Sequence, residues 1–296
     1  MRPRRVPVTA FDAVTERWAD VEASGGVDRD ELTVSTYNVW FDSYFADERY
    51  RAIAELLSRA SPDVMVFQEI TSDALAVFRA QPWIRESYYC ASIVGAELGN
   101  YGMLMLSRLP VTRVTYTPLP TQLARGFLLA EFTINGSSLL VCSVHLESGK
   151  QNSGLRARQL RSVYRATGSC DDAIVLGDFN MRDDENGRIC APYVDVWPAL
   201  RPNDPGFTEN TTINHMRFDS RNKDRHVRFD RVLLQGSAWS ASAIVLLGTE
   251  PVSPELPRVF PSDHFGVWCR LNHPAAAPAP ARRRCPRWLH PFRSSR

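Results

Sequence analysis

Asp178 and Asn180, in Gly177-Asp178-Phe179-Asn180, stand just beyond the apolar run Ala173–Leu176. Residues two apart in an extended chain point to one side, so an acceptor and a donor face a common point there. Such a pair can hold one water and take its proton. Gly, Asp and Asn are also the usual makings of a turn, and the segment alone allows both readings. Other strand-like runs end in the same manner. Leu32–Val39 carries Asn38, Val64–Gln68 runs into Glu69, Leu139–Val144 runs into His145, and Ser262-Asp263-His264 opens the last apolar run. Buried strands read as continuous apolar stretches, and polar groups appear where the chain leaves the core. These exits imply one shared site on the rim of a sheet.

The residue types fit the breaking of a phosphodiester. That reaction needs the non-bridging oxygens shielded, a water aimed in line, and the leaving oxygen stabilised; a divalent metal does the first and helps the last. Magnesium takes oxygen ligands, keeps several waters, and is commonly held by one or two carboxylates. Glu69, with Asn38 at the end of a neighbouring run, suits it. His145 and His264 both lie where an apolar run meets a polar stretch. Asp230, in Arg228-Phe229-Asp230-Arg231, heads an apolar strand and reads as the carboxylate that orients His264 and keeps it protonated. The six cysteines are scattered without a zinc spacing, so the expectation is a reduced, intracellular, soluble protein, in the cytoplasm or in a eukaryotic nucleus.

These residues need a frame of alternating strands and helices. Asp47–Ala60 places Tyr50, Ile53, Leu56 and Leu57 on one helical face, and a shorter helix is expected near Asp73–Arg79. Leu128–Phe132 is hairpinned through Asn135-Gly136 into Leu139–Val144. Gly154–Arg165 reads as a helix with Leu155, Val163 and Tyr164 inward, and its arginines are available to a DNA backbone. Phe229–Leu234, Ala243–Leu247 and Phe265–Leu271 close the fold. Residues 1–30 read as a peripheral extension in which Phe11–Val21 forms an amphipathic helix, residues 31–272 as the catalytic domain, and 273–296 as a disordered basic Pro/Ala tail. No run approaches the ~18 apolar residues of a membrane span. The net charge of +2 does not argue for a polyanion partner, although nearly all the basic residues are arginine, whose rigid fork suits phosphate.

Taken in order, the Asn38 strand, Gln68-Glu69, Ser143-Val144-His145-Leu146, Gly177-Asp178-Phe179-Asn180 and Ser262-Asp263-His264 resemble the endonuclease/exonuclease/phosphatase superfamily over about Glu31–Asn272. The resemblance implies a DNase I-like α/β fold: a four-layer sandwich of two packed, mostly antiparallel β-sheets flanked by helices. It implies a metal at Glu69 with help from Asn38 and Asp263, a water at Asp178 and Asn180, and a phosphate at His145 and His264. Further segments, His145-Leu146-Glu147-Ser148, Val194-Asp195-Val196-Trp197 and Arg228-Phe229-Asp230-Arg231 among them, are most similar to the 5′-tyrosyl-DNA phosphodiesterases. The first motif departs from that group, reading Tyr37-Asn38-Val39-Trp40-Phe41 where Trp usually precedes the Asn and Asp-Gly follows. The resulting expectation is a monomeric Mg2+ (or Mn2+) phosphodiesterase on DNA 5′ ends, with Arg125 meeting the substrate and a locally basic loop, Asn203–Arg228, forming part of the wall that meets the DNA end through Arg217 and Arg221. Its rival is a phosphatase or phosphodiesterase for a small or lipid headgroup. A catalytically dead binding module is disfavoured, because none of the essential residues is missing.

Overall fold

The apolar runs pair into two sheets in a computed structural model of the chain, which describes residues 2–22, 25–95, 98 and 100–273. In chain order the strands are β1 (Arg4–Val6), β2 (Thr9–Asp12), β3 (Arg17–Asp20), β4 (Glu31–Asn38), β5 (Val64–Ile70), β6 (Tyr89–Ile93), β7 (Gly102–Ser107), β8 (Arg113–Pro118), β9 (Gly126–Ile134), β10 (Ser137–His145), β11 (Asp172–Asp178), β12 (Val194–Asp195), β13 (Glu209–Asn210), β14 (His226–Val227), β15 (Asp230–Gln235), β16 (Ser240–Leu247) and β17 (Gly266–Asn272). The helices are α1 (Ala46–Ala60), α2 (Ser72–Ala80), α3 (Pro82–Ser87), α4 (Ser153–Thr167), α5 (Val196–Leu200) and α6 (His215–Arg221). One sheet runs β1-β8-β9-β10-β11-β15-β12 and the other β16-β17-β4-β5-β7-β6-β2-β3, with β13 and β14 forming a separate ribbon. The pairs β4/β5 and β10/β11 are parallel, and both lie at the centre of their sheets.

The sheets face each other across a core in which Leu32, Val34, Val66 and Met105 meet Val141, Ile174, Leu176 and Val232. Helices α1 and α2 cover the outer face of the second sheet, packing Tyr50, Ile53, Leu57, Ala74 and Phe78 onto Met65, Phe67, Leu104 and Leu106. The apolar stripe of α1 drives this docking, since complete burial of Ile53 or Leu57 contributes roughly 1.5–3 kcal/mol. Asp47 and Glu48 in its first turn and Arg59 in its last complement the helix dipole. Helix α4 covers the first sheet through Leu160 and Val163, against Cys142, Val144, Val175 and Leu233. The result is the expected four-layer sandwich.

Three local expectations are corrected. Phe11–Val21 is not a helix: β2 and β3 form a hairpin on the edge of the second sheet, and β1 pairs with β8 on the edge of the first. The Asp12 carboxylate accepts from Val14 N at 2.8 Å to fix the turn, and Phe11 lies edge-on to its cross-strand partner Trp18. A capped turn with an aromatic cross-strand pair outweighs a weak helical stripe. In α4 the buried residues are Arg156, Gln159, Leu160, Val163 and Thr167; Tyr164 is half-buried and packs inward against the core as expected, while Leu155 is half-buried. Arg156 is internal because Glu185 takes its Nε at 3.0 Å and the carbonyls of Glu147 and Gly149 take Nη1 at 2.9 and 2.7 Å. It therefore offers nothing to DNA. The third correction, at Arg217, belongs to the site. The expected Pro/Ala tail lies outside the described residues from 274 onward, and no helix among the described residues is long and apolar enough to cross a membrane.

Candidate active site

Asn38 ends β4 beside Gln68 of β5, and Glu69 follows at a bulge where the pairing with β7 shifts between Gln68 and Ile70. Glu69 has φ +61, a left-handed conformation unusual for a residue with a side chain, and strain of this kind persists only where the surroundings enforce it. Its Oε2 accepts from Phe41 N at 3.2 Å. Asn38 Oδ1 accepts from Trp40 N at 3.0 Å, and its Nδ2 reaches across the core to donate to Asp178 Oδ2 at 3.1 Å. Thr36 Oγ1 to Gln68 Oε1 (3.2 Å) and Gln68 Nε2 to Ser143 Oγ (3.3 Å) form a second polar link between the sheets. Buried Arg49 of α1 holds the following loop by donating to Val39 O and to Pro261 O.

Asp178 closes β11, and Asn180, with φ +50, turns back onto it. Asn180 N donates to Asp178 Oδ1 at 2.8 Å, and its Nδ2 donates to Asp178 Oδ2 at 3.0 Å and to Leu146 O at 3.2 Å. The segment is thus a turn in which Asn180 gives its amide hydrogens to Asp178 and Leu146 and so holds the carboxylate in place. Gly177 is required, since a Cβ there would sit 2.1 Å from Val144 O of the parallel neighbour. Burial raises the pKa of Asp178; His264 pulls it back and Asp230 raises it further.

His145 ends β10 level with Asp178. Arg125, itself buried, directs Nη1 at His145 Nδ1 (3.2 Å) and donates to Tyr101 Oη (2.8 Å). A guanidinium only donates, so Nδ1 accepts and the imidazole proton is assigned to Nε2. That Nε2 is buried without a hydrogen-bond partner, 3.5 Å from Asp178 Oδ2 and 3.8 Å from Glu69 Oε1. Burial, and then the charges of Arg125 and His264, hold His145 well below its ordinary pKa, so it is neutral. His264 is the opposite case. Burial alone would lower its pKa, but Asp230, bonded to Nδ1 at 2.7 Å, with Asp263 and Asp178, raises it well above the ordinary value. Ser262 Oγ donates to Asn38 O at 2.6 Å and accepts from His264 N, tying this turn to the end of β4.

Asp263 is pushed up to about 6 by burial, with Glu69 and Glu209 adding to that and His264 and Arg217 opposing it. Arg217 is not on a DNA-facing wall. It is buried, donates from Nε to Glu209 Oε1 at 2.7 Å, and lies 3.6 Å from Asp263 Oδ2. Its surroundings, 203–228, hold β13, α6 and β14, and most of their basic charge is used internally: Arg225 pairs with Glu209, and Arg228 with Asp195. Arg221, by contrast, is exposed and has no ion pair among the described residues. Sequence reasoning passed over Tyr101, Glu209, Thr208 and Arg49. Thr208 and Glu209 stand at a loop and a two-residue strand without an apolar run to flag them, Tyr101 precedes a strand instead of ending one, and no periodicity marks the partners of a helical arginine.

The oxygen and amide donors around Glu69 fit a hard divalent cation. Glu69 Oε1 accepts no hydrogen bond among the described residues, and Asp263 is held beside the charges of Glu69 and Glu209. Two acid–histidine groups among the described residues, Asp178/Asp230/His264 and Glu209/Asp263/His264, have ligand atoms within 4.8 Å of one another. Both depend on His264, whose Nδ1 is taken by Asp230 and which is held protonated, so they read as proton and charge networks.

Fold, rim and donor set define a hydrolytic phosphodiesterase that works with a divalent metal. The Endonuclease/Exonuclease/phosphatase family matches residues 35–264, and the chain belongs to it. It is 30% identical over 282 residues to tyrosyl-DNA phosphodiesterase 2 of Xenopus laevis, covering 89% of this chain and 72% of that protein. With the Homo sapiens protein of that name it shares 28% over 277 residues, covering 88% and 74%. A crystal structure of D. rerio TDP2 complexed with single strand DNA product superposes with a TM-score of 0.72 at 25% identity, over 82% of this chain and 100% of that one.

Proposed function

We propose that the chain is a magnesium-dependent phosphodiesterase, with manganese an acceptable substitute, that hydrolyses phosphodiesters at DNA 5′ ends, 5′-tyrosyl adducts included. The carrying observation is the arrangement around Asp178: it receives Asn38 and Asn180, faces the unpartnered Nε2 of His145, and lies beside the His264–Asp230 pair. Glu69 would hold the cation, with Asn38 and Asp263 beside it; when bound, the ion shields the phosphate oxygens and assists the leaving oxygen.

The protein's own groups supply the rest. Both lone pairs of Asp178 Oδ2 are directed to asparagine donors and one of Oδ1 to Asn180 N, leaving one acceptor site for a water. Asp178 orients that water and takes its proton as it attacks phosphorus. Neutral His145 donates from Nε2, and His264, kept charged by Asp230, donates from its own Nε2 to the developing negative charge. Arg125 positions His145 and presents its guanidinium to the substrate; Arg221 lies further out, where a DNA strand would pass. In this reading the enzyme is an intracellular monomer, in the cytoplasm or a eukaryotic nucleus.

The names of the relatives support the tyrosyl-DNA substrate over a lipid or inositol headgroup. Purified protein with magnesium, offered 5′-tyrosyl DNA, abasic duplex, sphingomyelin and inositol phosphates side by side, should show its highest kcat/KM on 5′-tyrosyl DNA. A preference for either headgroup would refute the substrate.

A further inference from the structure

Asp230 and His264 reach each other from different places. One heads β15 in the first sheet, and the other lies in the turn entering β17 in the second. Thr208 joins these two segments. It is fully buried. Its Oγ1 accepts from Phe229 N at 3.0 Å and from Asp230 N at 3.1 Å, while its carbonyl accepts from Phe265 N at 2.7 Å. Its own N donates to Val227 O at 3.0 Å. A hydroxyl oxygen has two acceptor sites, and here both are filled by successive main-chain donors. One residue therefore grips the amide of Asp230 through its side chain and the amide after His264 through its main chain. Among the described residues, no hydrogen bond joins Thr208 to the imidazole or to Asp178.

We propose that Thr208 is the positioning residue of the His264–Asp230 pair, setting the 2.7 Å bond between imidazole and carboxylate by holding both chain segments at once. This rests on the hydrolase role given above to that pair. Glu209, the next residue, does a related task by fixing Arg217 beside Asp263, so the start of β13 braces both halves of the Asp263-His264 turn.

The test uses Thr208→Val, which keeps the shape and removes the acceptor, and Thr208→Ser, which keeps the acceptor. In metal-free protein the His264 Nδ1 proton should give a downfield NMR resonance in the wild type and in Thr208→Ser. It should be lost or displaced in Thr208→Val. On a small phosphodiester, Thr208→Val should lower kcat roughly 10²-fold, the cost of a displacement of about 1 Å at a catalytic group, with KM little changed. In an Asp230→Asn background the same change should cost nothing further, because the bond it protects is already gone. Should Thr208→Val fail to fold, Thr208→Ala, which cannot clash, is read in the same way. An unchanged resonance and kcat in Thr208→Val would overturn the proposal. So would a loss in Thr208→Ser equal to that in Thr208→Val, or an undiminished loss in the Asp230→Asn background. A wild type inactive on every phosphodiester would count against the hydrolase reading instead, and the resonance would still decide the role of Thr208.

Discussion

Replacing Arg217 by methionine separates a brace from a substrate contact. The guanidinium is nearly buried, with 8% of the side chain exposed, and is bonded to a Glu209 carboxylate that is 4% exposed. Removing one partner of such a pair leaves an uncompensated buried charge and costs about 3–5 kcal/mol. Arg225 remains 3.2 Å from Glu209 Oε2 and is itself 22% exposed, so part of the charge stays balanced. The expected loss is at the lower end, about 3 kcal/mol. For a domain of this size that lowers Tm by roughly 6–12 °C. Arg221→Ala removes an exposed side chain that has no ion pair among the described residues and should stay within about 0.5 kcal/mol of wild type. The two variants should separate again on substrate. Arg221→Ala should raise KM for a tyrosyl-DNA oligonucleotide and reduce its salt slope by about 0.7–0.9, the share of one phosphate contact, while sparing a small ester. Arg217→Met should affect both substrates alike. Thermal unfolding and KM measured against salt would decide. An Arg217→Met protein with unchanged Tm and a defect confined to the oligonucleotide would refute the buried-brace argument.

Asp178→Asn, nearly isosteric, should retain the fold and lower kcat by roughly 10²–10⁴; a change of only a few-fold would assign the water to another residue. Chelation with EDTA should abolish activity, and Glu69→Gln should weaken Mn2+ binding, read by electron paramagnetic resonance, at least tenfold; an unchanged titration would remove Glu69 from the metal. The His264–Asp230 pair raises the folded-state pKa of a histidine. Its stabilisation is therefore full below the unfolded value near 6.5 and is lost as pH rises through the higher folded value. In metal-free protein the Tm gap between wild type and Asp230→Asn should be widest near pH 6 and narrow on the alkaline side; a constant gap would contradict the raised pKa.

Much of the framework was legible because the strands are buried on both faces. Runs such as Val64–Phe67 and Ala173–Leu176 have no polar residue before their last turns toward the rim, so Glu69 and Asp178 announced themselves by position. Strand-to-strand register then brought His145 level with Asp178, which the pattern alone could suggest but not fix. Edge strands escaped the same logic. β2 and β3 are short and half-exposed, and their identity comes from pairing with each other and with β6. Arginines misled for a related reason. A count of basic residues in 203–228 registers their charge, whereas Glu209 and Asp195 cancel much of it only after the chain has folded. Thr208 was invisible, since its importance lies in two amides that come from elsewhere in the sequence.

The polar contacts that cross the core carry one more consequence. Asn38 and Glu69 belong to one sheet, Asp178, His145 and Asp230 to the other, and the Asn38–Asp178 bond spans the seam between them. A phosphate gripped by both sets would act as a rivet through the sandwich, so ligand binding should stiffen the docking of the two sheets by mass action as well as order the rim. A chain severed between β7 and β8 would place Asn38 and Glu69 on one fragment and the remaining groups on the other. Neither piece would hold a working site, and the substrate itself would favour their reunion.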